Sequence, residues 1–162
     1  MTDTEADPAT ALLDATVMHV PFDGWSETAF KAAIEDTGVD PTVARGLYPR
    51  GAIDLAAAFH RKGDDLMIAA YGKEDTDTLR FREKVALMVR LRLEAVEDKE
   101  AVRRGATLFA LPMHAAEGSK LIWGTADRIW TALGDTSRDI NWYTKRATLS
   151  GVYTSTVLYW LG

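Results

Sequence analysis

The chain has 162 residues, of which 47% are hydrophobic and 27% charged, a balance typical of a folded globular domain. It contains no cysteine, which excludes disulfides, thiolate metal sites and a cysteine nucleophile, and no apolar run approaches the ~20 residues that span a bilayer. The net charge of −5 is unevenly distributed, because residues 1–60 carry ten acidic and only three basic side chains.

Apolar residues at helical spacing mark the first predicted helix, among them Ala11, Ala15 and Met18. We predict that Pro21 ends this helix, because proline lacks a backbone donor and clashes with the preceding turn. The residues before the helix, 1–10, are predicted to form a flexible acidic tail.

Capping residues predict the next helices. Ser26 suits the N-cap of a second helix, which Gly38 ends because glycine tolerates the left-handed conformation. Asp40 followed by Pro41 is a strong start for a short third helix. A fourth helix follows Gly51.

Longer helices account for the rest of the chain. Apolar residues spaced three and four apart predict them over residues 76–96, 101–111, 113–133 and 140–160. The last contains YTSTVLYW, rich in residues that favour strands, but its length and flanks favour a helix. The fold class is therefore predicted as all-α, and residues 71–162 as its C-terminal helical region.

The first four helices resemble the N-terminal domain of TetR-type regulators, in the string LLDATVMHVPFDGWSETAFKAAIEDTGVDPTVARGLYPRGAIDLAAAF. The string has a TGV turn and a short candidate recognition helix that ends in Tyr48. That segment, residues 41–49, offers one basic residue, Arg45, and the acidic surroundings would repel phosphates. We therefore predict a TetR-like fold with a degenerate helix-turn-helix subdomain, residues 11–70, continuous with the rest. No nucleic-acid binding is expected, and a TetR-type ligand-responsive transcriptional regulator is the alternative.

Residue patterns of an enzyme are missing from the sequence. His114 and Glu117 lie three apart on one helical face, but no second copy of the pair exists to complete a metal site. No P-loop, nucleophile elbow or dinucleotide fingerprint occurs. We predict a non-enzymatic protein with no catalytic residue, no metal and no cofactor.

The last predicted helix has two apolar faces. One face carries Trp142, Leu149, Val152, Tyr153, Thr156 and Trp160. The other, mostly of small residues, carries Tyr143, Ala147, Ser150, Gly151, Thr154 and Leu158. Small residues let a second helix approach closely, so we favour a two-fold homodimer over a monomer with this helix at its core.

The start of that helix, residues 139–146, is the predicted functional segment. Asp139 suits the N-cap. Trp142 and Tyr143 lie about 100° apart around the helix, so both cannot point into one core. An exposed ring there would be an interface anchor; the alternative is that both rings flank the core.

Two strings resemble the Coq-nine family, the lipid-binding accessory proteins of ubiquinone (coenzyme Q) biosynthesis: LPMHAAEGSKLIWGTADRIWTALGDTSRD and DINWYTKRATLSGVYTSTVLYWL. The NWYT-x-R-A element is specific, and the likeness covers nearly the whole chain from about Leu12. It implies a homodimer that holds an isoprenoid or phospholipid in a hydrophobic pocket of the C-terminal helices. It also implies that a surface patch docks the di-iron demethoxyubiquinone hydroxylase and presents a lipid or quinone intermediate taken from the membrane.

The resemblance, carried onto this sequence, places the partner patch on Asp127, Ile129, Trp130, Asp139, Trp142 and Tyr143. The apolar stripes predict a lipid pocket lined by Met88, Leu108, Leu111, Leu121, Ile122, Leu149, Val152 and Tyr153. Family members continue with a further amphipathic helix, which this sequence does not contain, so either the chain is truncated or this member lacks the element. We expect only transient contact with a membrane surface without it.

The N-terminal string MTDTEADPATALL predicts the cellular location. It carries acidic residues and no basic residue, unlike a transit peptide or a signal peptide. We therefore expect a bacterial-type cytoplasmic protein, peripheral to the inner face of the membrane.

Overall fold

The structure, a computed structural model, describes residues 6–162 of the chain. These residues form eight α-helices and no strand, which confirms the predicted all-α class. The helices are α1 Pro8–Asp23, α2 Glu27–Thr37, α3 Pro41–Leu47, α4 Ala52–Tyr71, α5 Phe81–Glu94, α6 Lys99–Ala110, α7 Ala115–Ala132 and α8 Ile140–Leu161. Among them none has the length and apolar character needed to cross a membrane.

Helix α1 is longer at both ends than the sequence suggested. It begins at Pro8, so residues 8–10 of the predicted tail are helical, while residues 1–5 of that tail lie outside the described residues. The prediction that Pro21 ends the helix is wrong, because Pro21 lies inside its last turns. There the missing donor removes a single backbone bond. Gly24, with φ of 70°, ends the helix instead, and its N–H donates to the carbonyl of Val20 at 2.8 Å.

The predicted caps of α2 and α3 are confirmed. The Ser26 hydroxyl accepts from the backbone N–H of Ala29 at 3.2 Å, and Gly38 closes α2 with φ of 67°. The Asp40 carboxylate accepts from the N–H of Thr42 at 2.8 Å, with Pro41 in the first turn of α3. These contacts involve residues at most four positions apart, which is why the sequence alone predicts them.

Helix α5 begins at Phe81, five residues later than predicted. The polar segment before it forms turns, in one of which the carboxylate of Asp75 accepts from the N–H of Asp77 at 3.2 Å. The N–H of Arg80 donates to the carboxylate of Glu83 at 2.6 Å, which sets the first turn of the helix.

The chain divides into two compact units. The first runs to Phe59 and adds Glu100–Phe109, so it contains residues 11–59 of the predicted helix-turn-helix subdomain and part of α6. Its buried apolar core is formed by Leu12, Leu13, Val20, Trp25, Phe30, Ala44, Tyr48, Leu55, Ala56 and Ala101. The indole N–H of Trp25 donates to the carbonyl of Ala101 at 3.0 Å and links the two segments of this unit.

The basic residue of the candidate recognition helix contacts other side chains of the first unit. Arg45 pairs with the carboxylate of Glu27, and its guanidinium carbon lies 4.7 Å from the centre of the Phe30 ring. These contacts hold the one basic side chain of α3 against its own unit.

The second unit comprises His60–Lys99 and Ala110–Gly162, and it contains α5, α7, α8 and part of α4. Its buried apolar core is formed by Met67, Met88, Val89, Leu91, Ala126, Ile129, Leu149 and Tyr153. The predicted functional segment belongs to this unit.

Candidate functional site

The first turn of α8 begins where the sequence predicts. Asp139 has an extended backbone, and its carboxylate accepts from the N–H of Asn141 at 3.0 Å. Its carbonyl accepts from the N–H of Trp142 at 3.0 Å. This cap fixes the directions in which the side chains of the first turn leave the helix.

Three aromatic rings form a cluster beside that turn. The rings of Trp142 and Tyr143 meet edge to face at 4.8 Å, and Trp123 of α7 lies 5.9 Å from the first and 6.5 Å from the second. Tyr143 is 60% exposed, whereas both tryptophans are half-buried. The two neighbouring side chains leave the helix about 100° apart and their rings still meet, but only Tyr143 stays exposed.

Trp123 is a member of the cluster that the sequence analysis missed. A usable signal existed, because Trp123 precedes Asp127 by four positions and Trp130 by seven, which places the three on one face of a helix. Both later residues were assigned to the partner patch, so the same face predicts the third.

A buried arginine packs against the aromatic cluster. Arg146, one turn after Trp142, is 2% exposed, and its Nε donates to the Asp127 carboxylate at 2.7 Å. One Nη donates to Asp135 at 3.0 Å and to the Trp142 carbonyl at 3.1 Å, and the guanidinium lies 4.1 Å from the centre of the Trp142 ring. Burial disfavours the charge, but the two carboxylates outweigh it and raise the pKa of Arg146. The guanidinium thus holds the ring in place.

Asp135, in the loop before α8, completes this network. Its carboxylate accepts from Lys145 Nζ at 2.9 Å, from the Ser137 hydroxyl at 2.8 Å and from Arg146. The hydrogen bond from Lys145, followed by that from Ser137, holds the pKa of the carboxyl well below its usual range. Asp135 was not predicted as a site residue, and Arg146 was predicted only as the last residue of the functional segment 139–146. The sequence does not show their contacts, because the partners lie in different turns and loops.

Trp130 joins the cluster region through a separate set of contacts. Its indole N–H donates to the carbonyl of Lys145 at 3.1 Å, and its ring lies 5.3 Å from that of Phe81. The ammonium of Lys145 lies 5.3 Å from the centre of the same ring. The half-buried indole therefore ties α7 to the first turns of α8.

Of the six residues of the predicted partner patch, two are exposed, three are half-buried and one is buried. Asp127 exposes 41% of its side chain, and the structure leaves Asp139 exposed beside Tyr143. Ile129 is 0% exposed and belongs to the core of the second unit, so its assignment to a surface patch is corrected. Its neighbour Trp130 is half-buried and packs against the same core.

The predicted lipid-pocket lining is also corrected. Met88, Leu149 and Tyr153 belong to the core of the second unit, while Leu121 is buried and Ile122 packs against that core. Leu108 packs against the core of the first unit, and Leu111 is 43% exposed. Apolar stripes identify the faces that pack inward, which is why most of these residues belong to, or pack against, the cores.

An open groove does exist in the second unit, along α5 and the C-terminal half of α8. Its volume is about 840 Å³, and its apolar side chains include Val85, Val89, Leu93, Val96, Val152 and Trp160. Of the eight predicted lining residues only Val152 contributes. The volume falls within the range of small-molecule sites.

Basic side chains stand at the edges of the groove. Arg82, Arg90 and Lys99 contribute to its lining. Arg90 pairs with Glu94 at 2.7 Å, whereas Lys99 donates to the carbonyl of Trp160 at 3.2 Å and lies 4.5 Å from the centre of its ring. The groove therefore combines an apolar interior with a polar and cationic edge, which suits an amphiphile.

A polar network is buried inside the second unit. His60 Nε2 contacts the Thr125 hydroxyl at 2.8 Å and the Leu121 carbonyl at 3.1 Å, and Thr125 donates to Asp64 at 2.8 Å. Arg92 donates to Asp64 at 2.7 Å and to the His60 carbonyl at 2.9 Å. Burial, followed by the charge of Arg92, lowers the pKa of His60 to about 4. The imidazole is therefore neutral at pH 7 and packs as part of the interior.

Metal ligands do not converge in the part of the chain that the structure describes. Within residues 6–162, no three or more histidine or acidic side chains are arranged to hold a metal ion.

Comparison with known proteins shows which proteins this chain is similar to. Residues 115–162 match the family model COQ9. The ubiquinone biosynthesis protein COQ9, mitochondrial, of Drosophila melanogaster is 32% identical over 158 residues, 93% of this chain and 47% of the relative. The probable ubiquinone biosynthesis protein coq9, mitochondrial, of Dictyostelium discoideum is 31% identical over 161 residues, 93% and 51% of the two. The Homo sapiens COQ9 protein is 25% identical over 159 residues, 91% and 48% of the two. The chain thus spans about half the length of the curated relatives it matches.

The relatives correct one prediction. The fly, slime-mould and human proteins are all named as mitochondrial, which contradicts the expected bacterial-type cytoplasmic location. That expectation depended on the residues at which this chain begins, and the match covers only about half of each relative.

Proposed function

This chain is related to the COQ9 proteins, and we propose that it serves ubiquinone biosynthesis, the pathway in their names, as a non-catalytic accessory protein. It binds an isoprenoid or quinone lipid as its ligand, needs no cofactor, and presents the lipid to the di-iron demethoxyubiquinone hydroxylase. The observation that carries the docking half of this proposal is an exposed Tyr143 ring beside two half-buried tryptophans, held by the buried Arg146.

The aromatic cluster has the properties of a protein interface centre. Large rings fixed by their own packing lose little freedom on binding, and Tyr, Trp and Arg contribute most of the energy in many interfaces. The carboxylates of Asp127 and Asp139 lie nearby and are solvent-accessible, so they would orient a partner with basic side chains. The docking surface proposed here comprises Trp123, Asp127, Trp130, Asp139, Trp142 and Tyr143.

Docking is tested by replacing Tyr143 with Ala and measuring affinity for the purified hydroxylase by titration calorimetry. We expect the affinity to fall at least tenfold while far-ultraviolet circular dichroism stays unchanged, because the ring is 60% exposed. Tyr159→Ala is the matched control, since this tyrosine lies on the same helix, is 89% exposed and takes no part in the cluster. Equal affinities of both variants and the parent protein would refute this surface.

The lipid-binding half of the proposal is placed in the groove of about 840 Å³ along α5 and α8. Its apolar side chains desolvate a molecule too hydrophobic for water, and the basic edge interacts with the polar end of that molecule. The lipid and the docking surface then belong to the same unit and share α8.

Lipid binding is tested by extracting the purified protein and identifying bound molecules by mass spectrometry. Val152→Trp would fill part of the groove, and we expect it to lower the bound lipid severalfold with no loss of helicity, since Val152 is 52% exposed. Val43→Trp is the control, because this valine of α3 is 49% exposed and lies in the other unit. Unchanged lipid content in Val152→Trp would place the ligand elsewhere.

The homodimer belongs to the same proposal, and the small-residue face of α8 supports it. Gly151 and Ala147 are exposed there, and a Cβ added at Gly151 would meet nothing within 4 Å. We expect Gly151→Trp to convert dimer to monomer in sedimentation equilibrium without loss of helicity. A protein that is already monomeric would contradict this part and leave lipid binding and docking to be judged by their own tests.

A further inference from the structure

A large aliphatic side chain is exposed to solvent at the start of α8. Ile140, the first residue of that helix, is 73% exposed. It follows the N-cap Asp139 and precedes Tyr143, which is 60% exposed, by three positions. Side chains three positions apart on a helix are neighbours, with Cβ atoms about 5–6 Å apart. The two therefore form one exposed apolar surface, the Ile140–Tyr143 pair, of which only the tyrosine belongs to the docking surface defined above.

The position of Ile140 in the helix does not account for an isoleucine. The first turn of a helix leaves backbone N–H groups without partners, so polar and acidic side chains are favoured there. Asp139 already supplies an acceptor, with its carboxylate 3.0 Å from the N–H of Asn141. A β-branched side chain lowers helix propensity relative to alanine and, at 73% exposure, gains little from burial. Contiguous exposed apolar side chains of this kind mark interaction sites more often than isolated ones do.

The charged groups around the Ile140–Tyr143 pair are balanced or already bonded within the chain. The carboxylate of Asp139 accepts from a backbone N–H of α8 at 3.0 Å, and that of Asp127 accepts from Arg146 at 2.7 Å. Arg138, which is exposed, directly precedes Asp139, so charges of both signs are present at this end of the helix. Charge can orient a partner here, but we expect most of the affinity to come from the apolar pair.

We propose that Ile140 binds the same partner as Tyr143, and that both side chains enter one apolar pocket of the hydroxylase. The inference rests on the function proposed above and names the chemistry that the partner presents, a depression that accommodates an aliphatic and an aromatic side chain together. Continuity favours this occupant, because a protein that covers Tyr143 reaches a side chain about 5–6 Å away.

The small-residue face of α8 places a second copy of the chain further along the helix. Ala147 and Gly151, the exposed small residues of that face, lie about 10 and 16 Å along the axis from Ile140. Two packed helices cross at an angle, so they diverge with distance from the residues at which they touch. The first turn of α8 therefore remains accessible to another protein.

Ile140→Ala tests the proposal by titration calorimetry with the purified hydroxylase. We expect the affinity to fall about tenfold, because the substitution removes an apolar anchor without changing charge. The loss should be the same in low and high salt, since salt screens charges and not apolar contacts. Val43→Ala is the matched control, because this valine is also β-branched, is 49% exposed and lies on α3 of the other unit. It should bind as tightly as the parent protein.

The double variant Ile140→Ala/Tyr143→Ala distinguishes one shared pocket from two separate contacts. Its loss of affinity should be smaller than the product of the two single losses, because a pocket that has lost one side chain holds the other less well. Losses that multiply fully would overturn the shared pocket. Circular dichroism at 222 nm should be unchanged in each variant, since alanine favours the helix.

Other outcomes would also overturn the proposal. Failure of the parent protein to bind the hydroxylase would remove the proposed function and this inference together. If the parent binds and Tyr143→Ala weakens binding but Ile140→Ala does not, the proposed function stands and the inference fails. If Ile140→Ala keeps full affinity for the hydroxylase but loses self-association in sedimentation equilibrium, or loses binding to phosphatidylcholine vesicles, a second copy or a lipid surface covers Ile140 instead.

Discussion

Arg146→Met would test whether the buried guanidinium holds the first turn of α8 in place. The substitution keeps the length and apolar character of the side chain but removes its charge and three hydrogen bonds, to Asp127, to Asp135 and to the carbonyl of Trp142. Because Arg146 is 2% exposed, solvent cannot replace those bonds without a rearrangement.

The size of the effect follows from what each partner keeps. Loss of one member of a buried ion pair costs about 3–5 kcal/mol when its partner remains buried. Asp127 is 41% exposed and regains water, and Asp135 keeps Lys145 and Ser137. We therefore expect the lower end of that range, about 3 kcal/mol of the free energy of unfolding.

Urea unfolding followed by circular dichroism at 222 nm measures this loss. With a slope of about 2 kcal/mol per molar urea, the midpoint should fall by about 1.5 M. The near-ultraviolet signal of the folded protein should also weaken, because the guanidinium no longer packs on the Trp142 ring. The urea midpoint of Arg146→Lys should lie between those of the parent protein and Arg146→Met, since an ammonium keeps the charge but not the planar guanidinium.

Arg90→Met is the matched control, because Arg90 also pairs with a carboxylate but is 72% exposed. Exposed pairs of this kind contribute little to stability, so its midpoint should stay close to that of the parent protein. The reasoning is refuted if Arg146→Met and Arg90→Met shift the midpoint equally. It is also refuted if the near-ultraviolet signal of Arg146→Met is unchanged.

Three further predictions concern stability. The pKa of His60 is lowered to about 4 in the folded protein, against an ordinary value of 6.5. The contribution of the neutral imidazole to the free energy of unfolding is therefore complete above pH 6.5 and is lost as the pH falls toward 4. That loss amounts to about 3 kcal/mol, and His60→Gln should flatten the stability profile between pH 7 and 4; an equally steep profile would assign the loss to other groups. Gly63→Ala should lower the thermal midpoint by several degrees, because the new Cβ would overlap the Arg92 guanidinium, which is buried and bonded to Asp64; an unchanged midpoint would mean that Arg92 moves freely. Ser26→Ala should cost about 1 kcal/mol in urea unfolding through loss of the α2 cap, whereas Ser26→Asn should cost much less, and equal losses would contradict a capping role.

Helix ends could be predicted from the sequence because their contacts are local. Ser26, Asp40 and Asp139 each cap a helix through a backbone N–H two or three positions later. Pro21 was the exception, because a proline near the end of a helix loses one bond and the packing of α1 keeps the last turn helical.

The aromatic cluster was predictable only in part. Trp142 and Tyr143 leave the helix about 100° apart because of the helical repeat, and the structure leaves Tyr143 at the surface. That Arg146 lies buried under them depends on Asp127, 19 positions earlier, and on Asp135, 11 positions earlier. No local sequence pattern predicts such contacts, and a lone arginine in a helix is usually solvated.

The residues of this chain determined by themselves which segments are helical, where most helices begin, and which side chains share a face, because these properties depend on neighbours within one or two turns. Tertiary structure alone decided which of two apolar faces is covered. Packing buried Ile129 and Tyr153 and left Met18 and Phe22 in water. It also left the groove along α5 and α8 open, because a groove is the volume that packed helices fail to fill, and that volume depends on all the side chains around it.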